Sequence, residues 1–294
     1  MVDHGMLDHC MVDHRAGGRH SWWLRVGRRT LRSLLWIGVP WLGATTLGMN
    51  PSTPADYVMN LWPSPVEPSL VAAKDGVRRL VVLQHGLWRS AASLAKLERA
   101  LVAHGYEVLN TSYASTAGTI EEHAELLRSE IEARLAQQDP RPLALSLVGH
   151  SMGGLVIRWY LQQPAARRAD RVVFLGTPQH GAILCDLRRD WWLFRVLMGD
   201  RAAPQLSPGS EFLKKLRLPT YPFGTIAGGY GDGQGRHSQI PGDDDGTVAV
   251  AETELPLSRD FVVLPIGHTR LGFHDQVIVR VLRFLKQGSF GLQR

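Results

Sequence analysis

Cysteine is almost absent: Cys10 and Cys185 are the only two in 294 residues. They stand far apart in the chain, so no disulfide framework is expected to hold the fold. Neither sits in a Cys-x-x-Cys or Cys/His ligand spacing, which argues against a structural zinc site. No Lys/Arg run is interleaved with aromatics, and no helix-turn-helix or zinc-finger spacing occurs. The net charge of +6 is scattered. It reads as solubility with some attraction to an anionic membrane face, and nucleic acid is not an expected partner. Calcium-loop spacing is also missing. Asp243-Asp244-Asp245 is acidic, but it lacks the alternating oxygen ligands of an EF-hand. Such a run is ordinarily a solvated loop. No metal and no cofactor is called for.

Long apolar runs are scarce, with one exception. Arg25, Arg28, Arg29 and Arg32 precede an uncharged stretch from Leu34 to Met49. As a helix it would span roughly 25 Å, against about 30 Å of hydrocarbon. Basic residues ahead of an apolar run mark a secretory signal or a signal anchor. No convincing small-x-small cleavage site follows it. The expectation is therefore a basic, unstructured tail over residues 1–32 and an uncleaved apolar anchor helix over 33–49. A buried amphipathic helix packed on the domain is the alternative. That implies a membrane-anchored or exported protein, with a cytoplasmic one as the other case. His4, His9, His14 and His20 in the tail read as a solvated, biased segment rather than a metal site. Residues 50–70, rich in Pro, Ser and Asn, read as a linker.

From residue 71 onward short apolar strands alternate with amphipathic helices. Strands are predicted at Arg79–Gln84, Tyr106–Ser112, Leu143–Val148, Val172–Leu175, Thr225–Ala227 and Phe261–Leu264. Helical stripes are Leu94/Leu97/Leu101, Ile120/Ala124/Leu127/Ile131/Leu135 and Val277/Ile278/Val281/Leu282/Leu285. Thr119-Ile120-Glu121-Glu122 reads as a capping box. This alternation predicts an α/β fold: a mostly parallel central sheet with helices on both faces. Residues 182–220 break the rhythm with the apolar cluster Trp191–Met198. They read as a small cap over the site, or else as a helix packed on the core.

One stretch organises the rest. An apolar strand runs into Gly149-His150-Ser151-Met152-Gly153-Gly154, and a helical pattern follows. Gly-x-Ser-x-Gly between strand and helix is the pattern of a nucleophile elbow. A serine hydroxyl needs a base, and the base needs an orienting carboxylate. Downstream, His268 follows a strand directly and is the first choice for the base, with His274 second. His180 comes before any acid, and His237 lies in a Gly-rich loop and reads as solvated. Asp245 precedes a Gly-Thr-Val turn and is the first choice for the acid, with Asp244 in reserve. Two N–H groups aimed at one point are also needed. Met152 follows the nucleophile, and Leu87 follows His85-Gly86 at the end of an early strand. His85 reads as a structural anchor for that loop.

Gln84-His85-Gly86-Leu87, Gly149-His150-Ser151-Met152-Gly153-Gly154, Gly176-Thr177-Pro178-Gln179-His180-Gly181, Asp245-Gly246-Thr247-Val248 and Gly267-His268-Thr269 occur in that order. Together, across residues 75–290, they resemble the α/β-hydrolase superfamily. The likeness is to bacterial lipase/esterase members related to triacylglycerol lipases and to the lipase-like domain of inositol deacylases. The resemblance implies Ser151 as nucleophile, Asp245 as acid, His268 as base, and oxyanion donors at Leu87 and Met152. It implies a serine hydrolase of carboxylic esters, acting on a small-molecule or lipid ester without a cofactor. Relatives often carry Asn where this chain has Asp244, and the middle insertion matches no familiar lid. An acyltransferase with the same triad, or a membrane-tethered binding protein with a dead site, are the other readings.

Overall fold

The computed structural model describes residues 74–136, 139–188 and 201–291, together with residue 71. The expected tail, anchor helix and linker over residues 1–70 lie outside the described residues. Among the described residues, no helix is long and apolar enough to cross a membrane.

Six strands carry the fold: β1 (Arg78–Gln84), β2 (Glu107–Asn110), β3 (Leu143–His150), β4 (Arg171–Leu175), β5 (Phe223–Gly228) and β6 (Asp260–Leu264). They form one sheet in the order β2-β1-β3-β4-β5-β6, and every pairing is parallel. The expected α/β architecture is therefore present. Strands buried on both faces read as near-continuous apolar runs, as β1 and β4 do.

Alternate side chains of each strand enter two separate cores. On one face Val81, Leu83, Val148, Val173, Leu175 and Ile226 meet α1 (Ala95–Ala103) and the last helix, α7 (Asp275–Gln287). On the other Leu80, Val82, Leu145, Leu147, Val172 and Phe174 meet α2 (Ile120–Leu135) and α3 (Met152–Leu161). The apolar stripe predicted for α7 is buried throughout: Val277, Ile278, Val281, Leu282 and Leu285. Helix α7 ends at Gly288, whose φ of 80° supplies the left-handed cap. The capping box at the start of α2 is made. Thr119 Oγ1 accepts from Glu122 N–H at 3.2 Å, and Glu122 Oε2 accepts from Thr119 N–H at 3.0 Å.

Strand β2 is shorter than predicted. Tyr106 turns its ring into the core instead of extending the strand. At the other end the Thr111 hydroxyl donates to Gln84 Oε1 at 2.5 Å, and the chain leaves the sheet there.

The insertion between β4 and β5 contributes α4 (Ile183–Arg188), a 3-10 turn (Ala203–Leu206) and α5 (Glu211–Lys215). Ala202, Leu206 and Phe212 join the core on the α2/α3 face. Phe212 lies 5.4 Å from the Trp159 ring. Gln205 Oε1 accepts from Ile120 N–H at 2.7 Å, fastening the returning chain to the start of α2. The two legs also meet each other, where Ala182 N–H donates to Leu206 O at 2.8 Å. The Trp191–Met198 cluster lies outside the described residues.

Candidate active site

The carboxyl ends of β1, β3, β4, β5 and β6 face one rim, where open parallel sheets collect their ligands. At the end of β3 the chain reverses through Ser151 with φ 55° and ψ −129°. A non-glycine residue there is strained, at a cost on the order of 1–3 kcal/mol. Packing imposes the conformation. A Cβ on Gly153 would overlap the Gln84 carbonyl oxygen, so α3 starts hard against β1 only because that residue is glycine. The turn leaves Ser151 half-buried.

His268 is the first residue of a 3-10 turn after β6. Its Nε2 is 2.9 Å from Ser151 Oγ, and its Nδ1 is 2.6 Å from Asp245 Oδ2. The Asp245 side chain is 1 % exposed, and that of His268 is 12 % exposed. The second oxygen of Asp245 accepts from the N–H groups of Thr247 at 3.0 Å and Val248 at 2.8 Å. The Gly-Thr-Val turn therefore fixes the carboxylate before it reaches the imidazole. His268 N–H donates in turn to the Asp245 carbonyl at 2.9 Å.

Gly176, at the end of β4, makes room for this pair. Its φ is 55°, and a Cβ there would lie 3.1 Å from Asp245 Oδ2, 3.3 Å from His268 Nδ1 and 2.7 Å from Leu271 Cδ1. A side chain at that position would push into the acid–base contact.

The alternative bases are occupied elsewhere. His274 caps α7, its Nδ1 accepting from Gln276 N–H at 3.3 Å. His180 Nε2 donates to the Glu254 carbonyl at 2.8 Å. His237, expected to be solvated, is instead buried. Its N–H donates to Asp244 Oδ2 at 3.2 Å, so its loop wraps around that carboxylate. The acidic run is likewise not a solvated loop. Asp244 and Asp245 are both buried. Asp244 accepts from Gly246 N–H at 2.6 Å and holds the loop, while burial raises its pKa.

The Leu87 and Met152 N–H groups make no hydrogen bond to the described residues. Met152 opens α3, where first-turn N–H groups have no partner within the helix. The Leu87 N–H is aimed by its own peptide unit. Gly86 O accepts from His85 Nδ1–H at 2.9 Å and from Arg89 N–H at 3.3 Å. In a planar trans peptide the N–H points opposite to that carbonyl. Gly86 also lies against the nucleophile candidate: a Cβ on it would be 2.8 Å from Ser151 Cβ.

The His85 ring is fully buried and stacks on Tyr113 at 4.3 Å. Its Nε2 accepts from Tyr113 N–H at 3.3 Å, which fixes the tautomer. Burial lowers its pKa, so it stays neutral in this role. Tyr113 and Ser115, whose Oγ accepts from Trp88 N–H at 2.9 Å, support the same loop. Neither was marked by the sequence, because a Tyr and a Ser after a strand carry no periodic signal.

Among solved structures the chain superposes on Bacillus licheniformis lipase BlEst2 in its mature form. The TM-score is 0.57 at 22 % identity, over 74 % of this chain and 95 % of that one. The chain has the fold of this lipase, the α/β-hydrolase fold. Phospholipase PlaB from Legionella pneumophila is also similar, with TM-score 0.55 and 17 % identity over 72 % of this chain and 60 % of that chain. The chain thus spans less than two thirds of PlaB's length. Residues 74–186 match a family model described as "Putative serine esterase (DUF676)". That match takes in Leu87, Ser151, Met152 and Gly176, and stops before Asp245 and His268. No curated protein matches the sequence.

Proposed function

We propose that this chain is a serine hydrolase of carboxylic esters of the α/β-hydrolase type, with Ser151 as nucleophile, His268 as base and Asp245 as the orienting acid. The observation that carries the reading is the partly buried line from Asp245 Oδ2 to His268 Nδ1 at 2.6 Å and from His268 Nε2 to Ser151 Oγ at 2.9 Å. Both distances are within reach for proton transfer and for fixing the imidazole tautomer.

Ser151 Oγ attacks the ester carbonyl carbon while its proton passes to His268 Nε2. Negative charge then forms on the carbonyl oxygen, where the Leu87 and Met152 N–H groups receive it. Collapse breaks the bond to the alcohol oxygen, which leaves with the proton from His268. An acyl-serine remains. Water, deprotonated by the same imidazole, attacks it and releases the acid and free Ser151. Asp245 keeps Nδ1–H as a donor and stabilises the imidazolium at each proton transfer. The match to a serine esterase family model and the lipase fold neighbours support this class of reaction.

The test is p-nitrophenyl ester turnover by the Ser151→Ala variant, with fluorophosphonate labelling of the wild type. Turnover should fall by several orders of magnitude while the melting curve stays intact. An Ala variant that matches the wild type rejects the assignment.

Membrane anchoring through residues 33–49 belongs to the same proposal and rests on the uncharged run in the sequence alone. The full chain should sediment with membranes and resist carbonate extraction. Recovery in the soluble fraction would refute it.

A further inference from the structure

His150 ends β3 and immediately precedes Ser151, yet the reaction above gives it no task. Its ring is 3 % exposed. Its Nε2–H donates to the backbone carbonyl of His268 at 2.9 Å. The two rings are tilted by 43°, with centroids 5.0 Å apart. Its Nδ1 is buried with no hydrogen-bond partner among the described residues. A buried acceptor left unmatched is costly, and a Leu or Val would fill this strand position without that cost. The bond made by the other nitrogen is what the histidine supplies.

That bond completes a clamp. The N–H of His268 is held by the Asp245 carbonyl at 2.9 Å, and its C=O by His150. With both backbone ends of the residue fixed, little beyond side-chain rotation remains to place its imidazole. We propose that His150 is a positioning residue: it ties the base-bearing residue to the nucleophile's own strand and so sets the separation of His268 Nε2 from Ser151 Oγ. This rests on the reading of Ser151 and His268 as nucleophile and base. Burial first, and the neighbouring His268 second, push the His150 pKa well below its ordinary value. It therefore acts as the neutral Nε2–H tautomer.

The test compares His150→Leu, which removes the donor, with His150→Gln, whose amide nitrogen reaches the place of Nε2. Ser151→Ala serves as the reference. Steady-state kinetics with p-nitrophenyl butyrate are read beside the downfield proton resonance of the imidazole shared with Asp245. In the Leu variant kcat should fall roughly 10–100-fold with KM within about twofold, the size expected of loosened alignment. Its downfield resonance should broaden. The Gln variant should recover most of kcat and a sharp resonance.

A Leu variant with wild-type kcat and an unchanged resonance overturns the proposal. So does equal loss in Leu and Gln, which would mean that ring volume matters and the hydrogen bond does not. If the Leu variant does not fold, His150→Asn, whose shorter amide falls short of the carbonyl, replaces it with the same expected losses. Turnover that survives Ser151→Ala sinks the functional reading instead, and the resonance alone then decides whether His150 holds His268.

Discussion

The two halves of the candidate site are built in opposite ways. The nucleophile half is local. Residues 149–154 form a strand end, a turn and a helix start, and the strain at Ser151 is held by β1 and β3, the most closely paired strands of the sheet. The acid–base half is assembled from afar. Asp245 and His268 are 23 residues apart, and His268 is 117 residues from Ser151. They arrive on loops after β5 and β6, and side-chain and turn hydrogen bonds set their geometry. A local half fails by losing its fold. A long-range half fails by losing its aim, with the fold intact.

The sharpest way to break this contrast is Gly153→Ala. Its new methyl group meets the β1 backbone, so activity and cooperative unfolding should be lost together. A well-folded, active variant in thermal melting and ester assays would mean that the elbow is not closely packed. Asp245→Asn should instead leave the melting curve nearly unchanged while kcat drops about 10³–10⁴-fold, as expected when the imidazole loses its orienting acceptor. Gly176→Ala should fall between these two in stability and cost less activity than either. The added methyl crowds the Asp245–His268 contact, and kcat should drop on the order of 10²-fold with only modest loss of stability. Wild-type kcat in that variant would show that the pair tolerates displacement.

Asp244→Asn separates the two adjacent acids. It holds the loop and does not touch His268, so kcat should change by less than about tenfold. Denaturant titration should show a loss of about 1–3 kcal/mol for weakened buried hydrogen bonds. A collapse of kcat to the level of Asp245→Asn would reassign the acid.

The last effect is on acid stability and not on turnover. His85, His123 and His150 are buried, and burial lowers the pKa of each from 6.5. Below about pH 6.5 the unfolded chain binds protons that the folded one refuses. The contribution of these histidines is therefore complete above that pH and declines as pH falls toward the folded values, by up to about 1.4 kcal/mol per pH unit for each. Urea midpoints at pH 7.5 and 5.5 check the sign. An unchanged midpoint would mean that these rings accept protons without cost.

Much of this was legible in the chain, for the same reason that the halves differ. Strand and helix periods announce themselves within a dozen residues, so β1, β3, β4, α2 and α7 fall where the pattern puts them. The elbow is legible because strand, glycines and helix are contiguous. Of the four downstream histidines, position directly after a strand singles out His268 as the candidate base, and the structure brings His268, not His274, to Ser151. What could not be read was burial away from periodic elements. His237 and the acidic run looked solvated because the loop that encloses them is polar and Gly-rich. The enclosure comes from backbone N–H groups of residues 237, 246, 247 and 248, which leave no trace in side-chain pattern. His150 was visible within its motif but carried no distinguishing signal, because its partner is a carbonyl 118 residues away.

The insertion leaves the sheet after β4 and returns to β5, and its described residues fasten to α2 and to the far end of α3, beyond residues 149–154. The sequence between the end of α4 at Arg188 and the core residue Ala202 can therefore change in length and character without a register shift in β1 or β3. Under the proposed function, a different substrate can be accommodated by changes in that excursion, while Ser151, His268 and Asp245 keep their spacing.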